Sequence, residues 1–403
     1  MSDVTSIPAF SAATPSLADI YDLIAADARE RDANRVHPHA ALDLLRKAKF
    51  GALRLPKSQG GAGASLREVI GQLLLLAEAD SNVAHIYRNH VTFVDRVLIG
   101  SDDPRRDKWR DVVRNGGIVG LAATEIDRPQ IGGTLPHKSI LTREGDGYRL
   151  NGIKFYSTGS LYADLILVRA TGANGEGINL VVPTNREGVE LIDDWDGMGQ
   201  RVTGSGTTKF HNVRIEADEV MVDAEQPSYL TAYTSTIAQT IVTTLVAGNL
   251  RAIFRDAKAV LHGRGRNFYY APNEIAAHDP LLQQTIGRIA AEAYAAEVLV
   301  LDVASKLDLA AAAREAGEPV AGLAHEAAVV ASKAKVIIDE LALRAGSELF
   351  DIAGASAAIR ARNLDRHWRN IRTLASHNPA VYRAQLVGAY ELHGTELPGL
   401  GFF

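Results

Sequence analysis

The chain of 403 residues contains no cysteine. It therefore has no disulfide, no zinc site with thiolate ligands and no cysteine nucleophile. A surplus of positive charge is also missing, because 43 basic residues stand against 48 acidic ones and the net charge is −5. The charges are interspersed, so there is no basic stripe and we expect no nucleic-acid partner. The lack of cysteine is compatible with a cytoplasmic protein, and we expect that location.

The sequence also lacks recognisable targeting and membrane segments. Its first residues, MSDVTSIPAFSAATPS, have neither the basic start nor the apolar run of a signal peptide. The most apolar stretch, IAQTIVTTLVAGNLRAIF, is interrupted by Gln239, Asn249 and Arg251 and is too polar to span a bilayer. We expect no association with a membrane and predict that this stretch forms a buried helix of a bundle.

Common catalytic motifs are absent as well. The glycine-rich GSGTTK at 204–209 lacks the spacing of a phosphate-binding loop or a dinucleotide fingerprint. No G-x-S-x-G nucleophile elbow occurs. Twelve histidines are present, but none belongs to an H-E-x-x-H motif. His85 and His90 are five residues apart, which is a poor spacing for chelation from one helix, and we expect no metal site.

What the sequence does contain is a clear change of pattern along its length. Residues 16–115 show helical periodicity, and Ser65 is predicted to cap the helix LREVIGQLLLLAEAD. Short β-branched runs such as ADLILVRAT and GINLVVPT then follow one another without helices between them, which predicts an antiparallel sheet or barrel. Long alanine-rich segments typical of a four-helix bundle come last, at 228–263, 279–314 and 319–350.

The predicted fold class is therefore α+β in three parts. An N-terminal helical domain is expected at 1–116 and a β-barrel-like domain with antiparallel strands at 117–227. A C-terminal helical bundle is expected at 228–403. This division rests on the change of hydrophobic period from helix to strand and back.

Polar residues gather at the ends of the predicted strands. Thr124 ends an apolar strand within GLAATEI and Thr158 ends another within NGIKFYSTGS. Residues 195–207, WDGMGQRVTGSGT, are dense in glycine and hydroxyl groups. Backbone N–H and hydroxyl groups at such positions can bind a flat polar ring. The alternative for each threonine is an ordinary hydrogen bond within a turn.

The order of these segments resembles the acyl-CoA dehydrogenase superfamily over most of the chain. The resemblance is carried by LAATEI, NGIKFYSTG, MGQRVTGSGTTKFHNVRI, RGRNF and ELFDIAGASA. It implies the same three-part fold, with flavin between the β-domain and the bundle, usually in a tetramer. It further implies a set of cofactor-binding residues, which are Ala123, Thr124, Tyr156, Ser157, Thr158, Arg264, Arg266, Phe268, Gly354, Ala355 and Ser356.

Within that set the resemblance implies particular roles. Thr124 and Thr158 would face one ring, and Thr158 would hydrogen-bond near N5 of the flavin. Arg266 would approach the flavin phosphate, often that of a neighbouring subunit. The alternative for Arg264 and Arg266 is that they are ordinary surface residues.

The segment RNIRTLASHNPAVYRAQ departs from the dehydrogenase pattern. Acyl-CoA dehydrogenases carry a catalytic glutamate at this place, whereas here His377 stands in SHNP, with no carboxylate between Asp365 and Glu391. The segment resembles the flavin-dependent monooxygenase branch of the superfamily, which includes dibenzothiophene and sulfone monooxygenases. That branch pairs this histidine with one on an N-terminal helix, which maps to His90 in YRNHVTFVD.

The resemblance thus implies a reduced-flavin-dependent monooxygenase in which His90, His377 and Thr158 are catalytic. A C4a-hydroperoxyflavin would oxygenate a sulfur, nitrogen or aromatic carbon centre of a small substrate. Reduced FMN is the expected cofactor, with FAD as the alternative. The expected partners are O₂, an NAD(P)H-dependent flavin reductase and further copies of this chain in a homotetramer.

Other interpretations stay open at this level. The protein could be an acyl-CoA dehydrogenase-type oxidoreductase with His377 or another group as its base, or a non-catalytic flavin-fold binding protein. His90 could be a histidine at the edge of the core, and His377 could only terminate a helix ahead of Pro379. His85, His137 and His393 are assigned no functional role.

Overall fold

The N-terminal part of the chain is helical, as predicted, and its helices begin at defined caps. The computed structural model describes residues 15–101, 103–126, 136–223 and 226–400. Ser65 accepts a hydrogen bond from the backbone N–H of Glu68 and its own N–H donates to the Glu68 carboxylate, which confirms the predicted cap. The helices here are α1 (Leu17–Asn34), α2 (His39–Lys47), α3 (Leu66–Phe93) and α4 (Asp107–Arg114).

The expected absence of a signal peptide concerns the first 16 residues, of which 1–14 lie outside the described ranges. The predicted domain boundaries at 116/117 and 227/228 fall in connections, the first between α4 and the first strand and the second ahead of the long helix that begins at Leu230. Helical and strand regions are therefore consecutive in the chain rather than interleaved.

Helix α3 consists of two segments joined by a kink at Asp80, whose backbone is extended (φ −157°, ψ 108°). The Asp80 carboxylate caps the second segment, because it accepts a hydrogen bond from the backbone N–H of Asn82 at 2.9 Å. It also accepts one from Nε of Arg31 at 3.0 Å. Residues 81–93 are buried on all sides and contact both the bundle and the β-domain. Side chains of this segment are therefore held in fixed positions between the two.

The central part forms one sheet with the order β6-β7-β3-β2-β4-β5-β8, and β1 lies beside β4. Among the described residues five pairings are antiparallel, as predicted, and two are parallel. The sheet is therefore mixed, because apolar periodicity reports burial but not the direction of the neighbouring strand. The strands are β1 (Val119–Ala122), β2 (Ile140–Glu144), β3 (Gly147–Lys154), β4 (Leu165–Thr171), β5 (Gly177–Pro183), β6 (Val189–Leu191), β7 (Thr208–Ile215) and β8 (Val220–Val222).

The C-terminal part is a helical bundle built around α5. Helix α5 packs against α3, α6, α7 and α8, and α9 packs on α7. The three alanine-rich segments predicted from the sequence are confirmed to within three residues at each end. The helices are α5 (Leu230–His262), α6 (Pro280–Ala316), α7 (Ala321–Ala353), α8 (Arg366–Ala375) and α9 (Ala380–His393).

Helix α5 contains the most apolar stretch of the chain. By length and composition it could cross a membrane, with a mean hydropathy of 1.3 over its most apolar stretch, but 83% of that stretch is buried inside the protein. Asn249 is buried and donates a hydrogen bond to the carbonyl of Leu245 at 2.9 Å, so its polar group is satisfied within the helix. Helix α5 is thus the core helix of the bundle, as the sequence predicts.

Candidate functional site

His85 lies on the second segment of α3 and faces the β-domain. Its Nδ1 lies 3.1 Å from Oε1 of Gln200, whose amide nitrogen donates to the Ser81 hydroxyl at 2.9 Å. The amide oxygen can only accept, so the imidazole proton is on Nδ1 and Nε2 carries a lone pair. Nε2 is buried and has no hydrogen-bond partner among the described residues. Burial, and then the charge of Arg88, lower the pKa of His85 to about 3, so the ring is neutral near pH 7.

Arg88 lies one turn further along α3 and connects this helix with the C-terminal part. Its Nε donates to the carbonyl of Ala238 at 3.1 Å, and its Nη1 lies 3.1 Å from Nε2 of His377. Burial lowers the pKa of Arg88 to about 10, so the guanidinium is still charged at neutral pH. Because a guanidinium only donates, Nε2 of His377 accepts and the proton of that imidazole is on Nδ1.

His377 occupies the turn between α8 and α9, where the sequence predicts a helix boundary ahead of Pro379. Helix α8 ends at Ala375 and α9 begins at Ala380, so that boundary is confirmed. Although His377 as a whole residue is exposed, burial of its imidazole lowers its pKa well below the ordinary value, and the neighbouring Arg88, His85 and Lys335 lower it further. His377 is therefore neutral near pH 7.

A chain of hydroxyl groups runs from Thr158 to the residue that holds His85. Oγ1 of Thr158 lies 2.8 Å from Oγ of Ser205, which lies 2.7 Å from Oγ1 of Thr203. Thr203 donates to the backbone carbonyl of Gln200 at 2.9 Å. Since each hydroxyl has one proton, this fixes the direction of the chain: Ser205 donates to Thr203, and Thr158 donates to Ser205. Thr158 keeps an oxygen lone pair to accept a hydrogen bond from another group.

Helix α3 also contacts the backbone at Thr158. The side-chain amide of Asn89 donates to the carbonyl of Thr158 at 3.1 Å. His85, Arg88 and Asn89 thus contact the β-domain and the C-terminal turn from a single helical segment. We take the group formed by His85, Arg88, Thr158 and His377 as the candidate active site.

The predicted strand-end residues lie side by side in the sheet. Thr124 and Phe155 form an isolated antiparallel bridge, with the Phe155 N–H donating to the Thr124 carbonyl at 2.9 Å. This bridge brings Ala123 and Thr124 next to the segment that ends at Thr158. One backbone contact thus brings together two segments whose threonines are 34 residues apart in the sequence.

Polar and aromatic groups beside Thr158 fit a flat heteroaromatic ring such as flavin. The Oγ of Ser157 is buried without a hydrogen-bond partner among the described residues. Tyr156 has a left-handed backbone (φ 56°), is 57% exposed and packs edge-on against Trp195 at 6.0 Å between ring centroids. A bulky residue in this conformation is uncommon and marks a position with a functional or packing constraint. These residues could hold the ring of the cofactor, with Thr158 accepting from a ring N–H.

The remaining predicted cofactor residues form a second group at the end of α7. Arg264 donates to the carbonyl of Ile352 at 2.7 Å, and Gly354 lies beside its guanidinium with φ at 70°. Arg264 and Gly354 therefore lie together at the end of α7. The hydrogen bond of Arg264 goes to the bundle and not to Thr158. The exposed members of this group are Arg266, Phe268, Ala355 and Ser356.

The prediction that His90 shares a pocket with His377 is wrong. His90 is 0% exposed; its Nε2 donates to the carbonyl of Gly51 at 2.8 Å and its Nδ1 accepts from the N–H of Val119 at 3.1 Å. Five residues along a helix correspond to a rotation of about 140° from His85, so His90 points to the opposite side of α3. The histidine beside His377 is His85.

Sequence reasoning missed His85, Arg88 and Gln200. A signal for the first two was present, because residues three apart lie on one helical face whereas His85 and His90 do not. Gln200 has a left-handed backbone (φ 53°) inside a glycine-rich loop, and nothing in the sequence indicates that its side chain meets α3. Only the packing of the loop on the helix reveals this contact.

His90 is expected to stabilise the protein rather than to take part in catalysis. We expect His90→Ala to lower the free energy of unfolding by about 2–4 kcal/mol, because it leaves a backbone carbonyl and a backbone N–H unpaired in the core. Urea unfolding measures this change. His39→Ala, an exposed position on α2, is the control and should change stability little. An unchanged free energy of unfolding for His90→Ala would contradict the structural role.

The neutral buried histidines also predict how stability depends on pH. The pKa of His90 falls to about 4 because of burial, and that of His85 falls to about 3. Between about pH 6.5 and 4 the unfolded chain binds these protons and the folded chain does not, so stability decreases as the pH falls. The slope approaches about 1.4 kcal/mol per pH unit for each histidine. Urea unfolding of the wild type and of His85→Gln at pH 6.5, 5.75 and 5.0 measures how the free energy of unfolding depends on pH. The variant should show the shallower dependence, and equal slopes would contradict the prediction that buried His85 stays neutral.

Two clefts are lined by residues of the helical parts, and the second is bordered by Ser376, the residue before His377. One of about 650 Å³ is lined by residues of α1, α3 and α6, such as Leu17, Arg67 and Leu301. Another of about 530 Å³ lies between α7 and the turn after α8, lined by Asp339 and Pro379 among others. In the described part of the chain no group of three or more His, Asp or Glu side chains could hold a metal ion.

Known proteins resemble this chain in sequence along most of its length. Residues 240–381 match the family model of the acyl-CoA dehydrogenase C-terminal domain. The chain is 28% identical over 390 residues to a probable FMNH2-dependent monooxygenase, SfnC, of Pseudomonas putida, covering 94% of this chain and 95% of that one. The match therefore spans almost the full length of both proteins.

Solved structures show the same fold. The methanesulfinate monooxygenase MsuC of Pseudomonas fluorescens superposes with a TM-score of 0.87 at 25% identity, covering 96% of this chain and 98% of that chain. FMN-bound TdsC of Paenibacillus sp. A11-2, a dibenzothiophene monooxygenase, gives 0.87 at 26% identity, covering 94% and 97%. TdsC has also been solved with FMN and indole together. The chain thus contains a region that matches the acyl-CoA dehydrogenase C-terminal domain, and it is similar along almost its whole length to monooxygenases that include an FMNH2-dependent one and an FMN-bound one.

Proposed function

We propose that the protein is the oxygenase component of a two-component monooxygenase that uses reduced FMN. The observation that carries the proposal is the meeting of His85, Arg88 and His377 beside the hydroxyl chain that ends at Thr158. Relatives along almost the whole chain include an FMNH2-dependent monooxygenase and an FMN-bound monooxygenase. The substrate is a small organic molecule, and we favour a sulfur centre because related enzymes are named for sulfur compounds.

Reduced FMN would supply the two electrons that are needed when one atom of O₂ enters the substrate and the other becomes water. The protein residues then have three tasks. Thr158 accepts a hydrogen bond from a ring N–H, since its own proton goes to Ser205. His377 carries its proton on Nδ1, from which it can donate to an oxygen that develops negative charge. Nε2 of His85 is a bare lone pair that can accept a proton or orient a donor.

The electrostatics of His377 argue against an acyl-CoA dehydrogenase. That reaction needs a base strong enough to remove a proton from carbon, as the glutamate of those enzymes does. Here the charges acting on His377 are cationic, from Arg88 and Lys335, and with burial they hold its pKa well below the ordinary value. A group so weakly basic suits hydrogen-bond donation better than removal of a carbon-bound proton.

We further propose a cytoplasmic homotetramer supplied by a separate NAD(P)H-dependent flavin reductase. The exposed aromatic residues Phe268, Tyr269 and Tyr270 stack on one another beside Arg264 and Arg266, as expected of a surface that a second subunit covers. In such a tetramer the two arginines would complete the phosphate end of a neighbour's flavin site. Light scattering that shows a monomer with tight binding of reduced FMN would contradict this assembly.

Rapid mixing tests the proposed activity. Photoreduced FMN and the protein are mixed with ¹⁸O₂ and a panel of methanesulfinate, dibenzothiophene and indole, with no reductase present. We expect one labelled oxygen atom in the product of at least one sulfur compound, with the other in water. Bleaching of oxidised flavin by an acyl-CoA, without O₂-dependent product, would instead indicate a dehydrogenase.

A further inference from the structure

Arg88 is a buried cation with no carboxylate partner among the residues that the structure describes. Arg88 is 8% exposed, and its side chain donates hydrogen bonds to the carbonyl of Ala238 and to the imidazole of His377. No ion pair joins it to a carboxylate within the described ranges. Buried arginines are normally paired with an acidic group, because an uncompensated charge in the interior is costly.

The groups around Arg88 do not supply the missing negative charge. His85 and His377 are neutral near pH 7, and the charge of Arg88 contributes to lowering the pKa of both. Lys335 adds a second positive charge near His377. The acidic side chain beside Lys335 is Asp339, and it is already bound to that lysine at 2.6 Å. Within the described part of the chain, the groups that act on the pKa of His377 are therefore cationic or neutral.

The guanidinium has donors left for a ligand. Of its five N–H groups one binds Ala238 and one binds His377, which leaves one on Nη1 and two on Nη2. The planar arrangement of such donors matches two oxygens of one anionic group, which a lysine cannot reproduce in the same geometry. An uncharged aromatic substrate would leave these donors and the charge uncompensated.

We propose that Arg88 binds an oxyanion of the substrate, so that this enzyme acts on small organic sulfinates or related anions rather than on neutral arenes. The inference rests on the proposed function and deepens it by naming the substrate class. For a sulfinate, one oxygen atom of O₂ forms a new S–O bond and gives the sulfonate. The other oxygen atom leaves as water with two protons. The sulfur gives up two electrons and reduced FMN gives up two electrons and two protons, so that O₂ receives the four electrons it needs. Arg88 neutralises the anion throughout.

Binding of matched probes to the full-length protein tests the proposal without turnover. Benzenesulfinate carries the negative charge, and methyl phenyl sulfoxide is its neutral counterpart with the same number of heavy atoms. Calorimetry in the presence of oxidised FMN measures both affinities. We expect the wild type to prefer the anion by about tenfold or more, in the range of a charge-assisted hydrogen bond. A wild type that binds the sulfoxide as tightly as the sulfinate would overturn the proposal, even if no variant folds.

Substitutions then assign the preference to one residue. Arg88→Met should weaken benzenesulfinate binding about 10- to 100-fold and leave sulfoxide binding nearly unchanged, whereas Arg88→Lys should restore part of the difference. Arg383→Met is the matched control, because Arg383 is also buried, has its pKa lowered to about 10 by burial and donates to Ser332 elsewhere in the bundle. Equal losses for both probes in Arg88→Met would assign Arg88 a structural role and overturn the proposal.

The two proposals fail in different ways. If the protein binds the sulfinate through Arg88 but yields no labelled product from reduced FMN and ¹⁸O₂, the oxygenase function is wrong and the anion site stands. If labelled product forms from neutral sulfides while Arg88→Met has no effect on anion binding, the function stands and the anion site is wrong.

Discussion

Replacement of His377 by alanine is expected to reduce product formation about 100-fold or more, with the fold and the affinity for FMN nearly unchanged. The reason is the position of its proton, which Arg88 confines to Nδ1 by donating to Nε2. Alanine removes that donor but keeps the turn, because Pro379 and the backbone bond from His377 to Leu374 define it. Single-turnover product yield with photoreduced FMN measures the loss, and the H₂O₂ released in the same reaction shows whether electrons are diverted.

His393→Ala is the matched control, since this histidine is exposed at the end of α9. It should retain the activity of the wild type. The pH profile gives a second readout: because the pKa of His377 lies well below 6.5, the yield should not decline between pH 8 and 6.5 through protonation of this ring. A His377→Ala variant with full yield would remove His377 from the mechanism.

His85→Ala is expected to cause a loss of similar size, about 100-fold, although the sequence resemblance assigned this role to His90. The bare Nε2 of His85 is buried beside Arg88, while both nitrogens of His90 are used by backbone groups. The double variant His85→Ala with His377→Ala should lose less than the product of the two single losses, because the two imidazoles serve one proton-handling unit. Product yield per folded molecule is the measurement for all three variants.

His90→Ala is the comparison that separates the two histidines of α3. It should lose stability, as argued above, and keep its yield per folded molecule within a few-fold. Circular dichroism and FMN affinity establish the folded fraction for each variant. Loss of yield in folded His90→Ala, with full yield in His85→Ala, would assign the catalytic role to His90, as the family resemblance implies, and remove His85 from the mechanism.

The sequence by itself determined the features that depend on neighbouring residues. The cap at Ser65, the end of α8 ahead of Pro379 and the extents of α5, α6 and α7 follow from local backbone preferences and hydrophobic period, and all were predictable. The three-part α+β architecture follows from the same signals, because each region has its own period. The flavin-binding strand ends could be named only through the resemblance to a family, since a lone threonine after a strand has many ordinary roles.

The tertiary structure alone decided which side chains meet. The kink at Asp80 sets the rotation of the second segment of α3, and that rotation turns His85 and Arg88 toward His377 and turns His90 toward Gly51 and Val119. The parallel pairing of β1 with β4 and the contact of Gln200 with His85 are likewise absent from any local pattern. The physical reason is that periodicity fixes the presence of a helix or strand, whereas the partner of each face is chosen by packing between segments distant in the chain.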